Sequence, residues 1–170
     1  MKQLFLFTFF LFAFTFSGKA QDTATLVNVD DTMPAFTIIS DNGQKISSDN
    51  FKGKVILITL FATWCPPCQQ ELAEIENVLW PQYKDNDDFV LLVIGREHSD
   101  ADLAKYNEKK GFTFPLYPDK SREIYNAFAT QFIPRSYLIG KDGKVVFKTQ
   151  GFAEKDFKRL LRTIDNALML

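Results

Sequence analysis

Two apolar runs constrain this chain more than any other feature: Val55-Ile-Leu-Ile-Thr-Leu-Phe61 and Phe89-Val-Leu-Leu-Val-Ile94. Neither alternates polar with apolar residues, as a strand with one wet face would. Each therefore reads as a strand buried on both faces. Between them, Leu72, Ile75, Val78 and Leu79 recur at helical spacing, which predicts a helix from Pro66 to about Lys84. Pro81 lies late in that stretch and predicts a kink or an early end there. Buried strand, helix and buried strand in succession are the building unit of an α/β sheet.

The flanking segments extend that sheet. Phe36-Thr-Ile-Ile39 and Gln44-Lys-Ile46 surround Asp41-Asn42-Gly43, a tight-turn signal that predicts an N-terminal β-hairpin. Ser99-Asp100 caps a polar helix to Lys110, with Gly111 as its stop. A further helix is expected over Ser121 to Phe128. Ser136-Tyr-Leu-Ile139 and Lys144-Val-Val-Phe-Lys148 flank Asp142-Gly143 and predict a second hairpin. From Glu154 to Leu168 the chain is amphipathic, with Phe157, Leu160, Leu161 and Ile164 turned inward as core. His98 is expected on a surface loop with no role. Residues 21–32 are polar and aperiodic and read as a flexible lead-in to a domain spanning 33–170. The expectation is one α/β domain whose sheet has an antiparallel edge, without internal repeats or linkers.

Length and charge narrow the function. A chain of 170 residues suffices for one domain with a core, and 20 basic against 21 acidic residues leave no electrostatic footprint for nucleic acid. Seven of the 18 phenylalanines lie between Phe5 and Phe16, in an apolar run that starts after Lys2 and ends before Gly18-Lys19-Ala20. This pattern predicts a signal peptide over residues 1–20, with small residues at the −3 and −1 positions of a cut after Ala20. The run falls short of the roughly 20 residues needed to span a bilayer. An uncleaved anchor is the alternative, and membrane contact is expected only through it. No cysteine follows the run, which excludes a bacterial lipoprotein anchor. The mature protein is expected to be soluble outside the inner membrane, in the periplasm, where disulfides persist.

The two cysteines stand together, in Phe61-Ala-Thr-Trp-Cys-Pro-Pro-Cys68, where a buried strand meets a helix. Three residues apart on a helix, Cys65 and Cys68 share a face and their sulfurs can bond. Cys65 takes the N-cap position and Pro66 the first helical one, which proline favours. The helix terminus stabilises a thiolate at Cys65, making it the nucleophile, and Cys68 one turn inside resolves the mixed disulfide. Haem attachment would need a histidine where Gln69 stands. Two cysteines and one histidine cannot complete a structural zinc site, so neither metal nor cofactor is expected. A purely structural disulfide would close too short a loop to stabilise much.

The chain resembles the thioredoxin superfamily, and within it the TlpA/ResA-like secreted thiol–disulfide oxidoreductases. Met33-Pro-Ala-Phe36, Phe51-Lys-Gly-Lys54, the Trp-Cys-Pro-Pro-Cys core, Ile133-Pro134, Tyr137-Leu-Ile139 and Lys141-Asp-Gly-Lys144 carry the resemblance, over roughly Met33 to Leu168. It implies a thioredoxin-like α/β fold, a central mixed β-sheet flanked by helices with an N-terminal β-hairpin. It also implies that Pro134 is a cis-proline facing the cysteines and that Ile133 pairs its backbone with an extended substrate. Trp64 would pack beside Cys65 and shape the contact surface, or simply fill core. Glu71, one turn past Cys68, becomes a candidate acid–base group; its alternative is an ordinary helix-surface glutamate. Two departures stand out. Thr59 occupies the place where cytoplasmic thioredoxins carry a buried aspartate. Arg135-Ser136 follows the proline where relatives often carry two small residues, so Arg135 either lies beside the active site or points to solvent.

The function implied is an extracytoplasmic thiol–disulfide oxidoreductase, a reductase more than an oxidant, acting on protein or small-molecule disulfides. Its partners would be disulfide-containing or thiol proteins, with apocytochromes among the candidates, and an upstream thiol reductant. A peroxiredoxin-type peroxidase is an alternative, but Ile58 and Ala62 stand where its proline and threonine would be. A thioredoxin-fold binding or chaperone-like module is the other, and the intact cysteine pair argues against it.

Overall fold

The seven residues of Val55–Phe61 are all buried and form the middle strand of a five-stranded sheet. In chain order the elements of the computed structural model are β1 (Thr37–Ile39), β2 (Lys45–Ser47), β3 (Val55–Phe61), α1 (Pro66–Glu74), α2 (Trp80–Tyr83), β4 (Phe89–Arg96), α3 (Asp100–Lys110), β5 (Leu116–Asp119), α4 (Glu123–Phe128), β6 (Arg135–Ile139), β7 (Val145–Gln150) and α5 (Glu154–Met169). The structure describes residues 23–40 and 43–170. The signal segment over residues 1–20 and Asp41-Asn42 of the first turn lie outside the described residues.

The sheet order is β5-β4-β3-β6-β7, with β3, β4 and β5 parallel and β6 and β7 antiparallel to their neighbours. β1 and β2 pair separately as the expected hairpin. Alternation along β3 divides the core in two. Val55, Leu57 and Phe61 pack with Leu72, Ile75, Phe157, Leu160 and Ile164 of α1, the segment after it and α5. Ile56, Ile58 and Leu60 pack with Ile124 and Phe128 of α4 and with Phe36 and Ile38 near the hairpin. Burial on both faces is what the unbroken apolar run required.

Several boundaries differ from the sequence-based expectation for physical reasons. The helix after the cysteines neither ends nor breaks at Pro81. Residues Ile75–Leu79 form a π turn, where the Trp80 amide reaches back to the Ile75 carbonyl, and this wider turn passes Pro81 into α2. A proline has no N–H to lose from the ladder, so a local change of pitch accommodates it. α4 begins at Glu123 rather than Ser121, because Arg122 is left-handed (φ 62°). The buried Asp119 carboxylate there accepts the amides of Ile124 (3.1 Å) and Tyr125 (2.8 Å). β5 was not anticipated. It contains Pro118 and is an edge strand, where a residue without a donor is tolerated.

Residues 23–32, expected as a free lead-in, are instead bonded to the domain. The Leu26 amide donates to the Phe128 carbonyl at 3.0 Å, the Asp30 amide to Val145 at 2.9 Å, and the Val145 amide to Asp31 at 2.9 Å. Ala24 and Val27 are buried.

Candidate active site

Cys65 is the N-cap of α1, and its Sγ accepts the Cys68 amide at 3.3 Å. Pro66 and Pro67 occupy the first helical positions, so no other amide of the first turn is offered before Cys68. The two cysteines form a disulfide, with their Cα atoms 5.2 Å apart. Cys65 is 3% exposed and Cys68 fully buried, so a partner that meets the pair meets Cys65 first.

The turn carrying Cys65 is tied from both sides. The Thr63 amide donates to His98 Nε2 at 3.0 Å, while Gln69 Nε2 donates to the Thr63 carbonyl at 3.0 Å. Lys110 Nζ in turn donates to Gln69 Oε1 at 3.0 Å. His98 is therefore not the surface-loop residue expected. It is buried against Phe61 and acts as a neutral acceptor. Burial lowers its pKa first of all and Arg96 adds to that, while Asp102 and Glu97 pull the other way.

The second wall comes from the other side of β3. Register places Arg135 opposite Leu60, so Pro134 lies at the sheet end that also carries the cysteines. The Ile133–Pro134 peptide is cis, as the resemblance implied. Ile133 is partly buried against both halves of the core, and Phe132 before it is left-handed (φ 69°), with its carbonyl accepting the Tyr125 hydroxyl at 2.7 Å. Trp64 is 60% exposed, which removes the core-filling alternative. The Arg96 guanidinium stands 5.6 Å from its ring, close enough for a cation–π contact.

Arg135 fits neither of its two expected positions. It is 1% exposed and points away from solvent. Its Nε donates to the Gln131 carbonyl (2.8 Å), Nη1 to Thr25 Oγ1 (2.7 Å), and Nη2 to the Ala24 carbonyl (3.2 Å) and Gln150 Oε1 (2.9 Å). It joins residues 24–25 to the loop before the cis-proline.

Glu71 is not a helix-surface residue. It is 3% exposed, and its Oε1 accepts the Ser136 hydroxyl at 2.6 Å. Ser136 Oγ lies 3.0 Å from Thr59 Oγ1, so the residue in the aspartate position belongs to the same chain of hydrogen bonds. Among the described residues Oε2 has no hydrogen-bond partner. Burial pushes the Glu71 pKa up to about 7, with the Ser136 bond opposing the rise. The supports given by Ser136 to Glu71 and by His98 to Thr63 were not expected from the sequence. Helical spacing signalled Glu71, but nothing local signals its contact with Ser136, 65 residues from Glu71 along the chain, or that of Thr63 with His98, 35 residues from Thr63.

A buried strand delivering a Cys-Pro-Pro-Cys disulfide to a helix N-cap, beside a cis-proline on a mixed sheet, defines a thioredoxin-fold thiol–disulfide oxidoreductase. The comparisons with known proteins agree. The chain belongs to the redoxin family, whose model matches residues 28–167. It is 31% identical over 123 residues to the thiol–disulfide oxidoreductase ResA of Bacillus thuringiensis subsp. konkukian, covering 72% of this chain and 70% of that one. To the ResA of Geobacillus thermodenitrificans it is 30% identical over 141 residues, covering 82% and 80%. The solution structure of a proposed protein disulfide isomerase from Bacteroides thetaiotaomicron superposes with a TM-score of 0.82 at 30% identity, covering 87% of this chain and 94% of that one. Bacillus subtilis StoA shares the fold, with a TM-score of 0.59 at 21% identity, covering 76% and 96%. The chain is thus a ResA-like member of the thioredoxin superfamily and an oxidoreductase of thiols and disulfides.

Proposed function

We propose that this protein works outside the cytoplasm as a reductase of protein disulfides. Cys65 attacks a partner disulfide and expels one partner thiolate, leaving a mixed disulfide. Glu71 takes the proton of the Cys68 thiol, and the Cys68 thiolate then attacks Cys65 Sγ. The Cys65–Cys68 disulfide forms, the second partner thiolate leaves, and that thiolate is protonated. Two electrons have passed from the protein dithiol to the partner, and an upstream thiol reductant restores the pair. Trp64 and the Ile133-Pro134 segment would receive the partner chain around its disulfide.

The apolar N-terminal run supports secretion after cleavage at Ala20, with the domain and the segment bonded to it following, and hence a periplasmic location. Among the described residues no helix is long and apolar enough to cross a membrane. Thiol or disulfide proteins are the partners this reading names, and apocytochromes awaiting haem are one such class.

The observation that carries the direction of electron flow is the single amide on Cys65 Sγ. A thiolate with few donors is less stabilised, which makes the reduced form less stable and the pair more reducing. Equilibration of the pair with a reference dithiol should give a potential near roughly −270 mV, whereas one near roughly −120 mV would mark an oxidant and overturn the direction.

A further inference from the structure

Three buried polar side chains from three elements meet between α1 and the sheet: Thr59 on β3, Ser136 on β6 and Glu71 on α1. Thr59 and Ser136 are directly opposed across the antiparallel β3–β6 pair, so their hydroxyls share one face of the sheet. That is the face on which α1 packs. The order of donation follows from chemistry. An ionised carboxylate only accepts, so Ser136 donates to Glu71 Oε1 and is free to accept from Thr59. Once Glu71 takes up a proton, the same two rotatable hydroxyls can reverse, Glu71 donating to Ser136 and Ser136 to Thr59. A backbone amide in Ser136's place could donate but never accept.

We infer that Ser136, backed by Thr59, is the positioning residue for Glu71, holding its carboxyl against the sheet face under α1 and partnering it in both protonation states. This rests on the proposed role of Glu71 as the proton carrier for Cys68. The surroundings leave Ser136 as the principal determinant. The small cavity beside Glu71 is lined by Thr149 of β7, Phe152 of the turn after it and Asp156 of α5, and the Asp156 carboxylate is paired with Arg159 at 3.3 Å. Cys68, one turn back on α1, is the other titratable group when reduced. No cation among the described residues is paired with Glu71, so Ser136 provides its one hydrogen bond.

The consequence has a definite sign. The bond from Ser136 favours the ionised carboxylate, and its loss leaves burial unopposed. The test is the rate at which the full-length reduced protein releases the second glutathione from oxidised glutathione, followed across pH. Ser136→Ala should move the limb assigned to Glu71 upward by about one pH unit, which is about fivefold slower at neutral pH and little changed at alkaline pH. Thr59→Val should move it the same way by less, and Ser136→Thr, which keeps the hydroxyl, should restore the native profile. Glu71→Gln should abolish the limb. If Glu71→Gln abolishes it while Ser136→Ala leaves it in place, the role of Glu71 stands and this inference falls. If Glu71→Gln keeps the limb, Glu71 carries no proton and both fall. Agreement of Ser136→Thr with the native profile separates positioning from a general loss of packing.

Discussion

His98 Nε2 holds the Thr63 amide at 3.0 Å, two residues before Cys65, so the protonation of one ring bears on the turn that presents the nucleophile. A protonated imidazole cannot accept at that nitrogen. The folded-state pKa lies below the usual 6.5, chiefly through burial. The native state therefore binds this proton less readily than the unfolded chain does. The contribution of neutral His98 is fully present above the unfolded value and is lost as pH falls through the lower folded one. His98→Gln, which keeps an acceptor but does not titrate, should lose less stability than the native protein between neutral and mildly acidic pH, measured as urea midpoints. Parallel curves would contradict this. His98→Phe should cost about 1–3 kcal/mol at neutral pH by stranding the Thr63 amide. At this scale the sequence announced the reactive groups themselves. Cys65 and Cys68 were legible from spacing, and the cis form of Pro134 only from the family resemblance. Their supports were not, because His98 and Ser136 act through contacts that only the folded sheet creates.

Elements were legible where their signals are local. α3 begins at the Ser99 cap, where Ser99 Oγ accepts the Asp102 amide at 3.3 Å and Asp102 accepts the Ser99 amide at 2.9 Å. It ends at Gly111, whose φ of 70° suits a residue without a Cβ. The β6–β7 hairpin forms around Asp142-Gly143, as its turn chemistry demands. β5 has no such signal, since Leu-Tyr-Pro-Asp owes its strand state to pairing with β4. The strap over residues 23–32 is polar by composition and held by partners elsewhere, among them Arg135. Replacing Arg135 with Met should remove its hydrogen bonds to Ala24, Thr25, Gln131 and Gln150 and cost about 3 kcal/mol. It should also speed amide exchange at Leu26 and Asp30, which bond to Phe128 and Val145. Unchanged exchange at those two amides would show that the strap stays in place without the guanidinium.

In the whole molecule the site is assembled where the end of β3 and the start of β6 come together. The sheet order makes β3 and β6 neighbours although the helices α1 to α4 and the strands β4 and β5 separate them in the chain. It thereby brings the cysteine turn, the cis-proline loop and the Thr59–Ser136–Glu71 hydrogen bonds to one place. The two halves of the core hold that arrangement from opposite faces of β3. Its central consequence is a division of labour between a sulfur at the helix end and a sulfur one turn inside. Cys68→Ser should leave attack intact and remove resolution, so mixed disulfides through Cys65 accumulate with partner proteins and dissolve on reduction. Cys65→Ser should fold and form few such adducts. The direct measurement is the yield of disulfide-linked adducts from Cys68→Ser against Cys65→Ser, separated without reductant. A large excess from Cys68→Ser is the predicted result. Absence of adducts from Cys68→Ser, with partners still held under reducing conditions when both cysteines are replaced, would contradict the exchange mechanism and leave a binding module in its place.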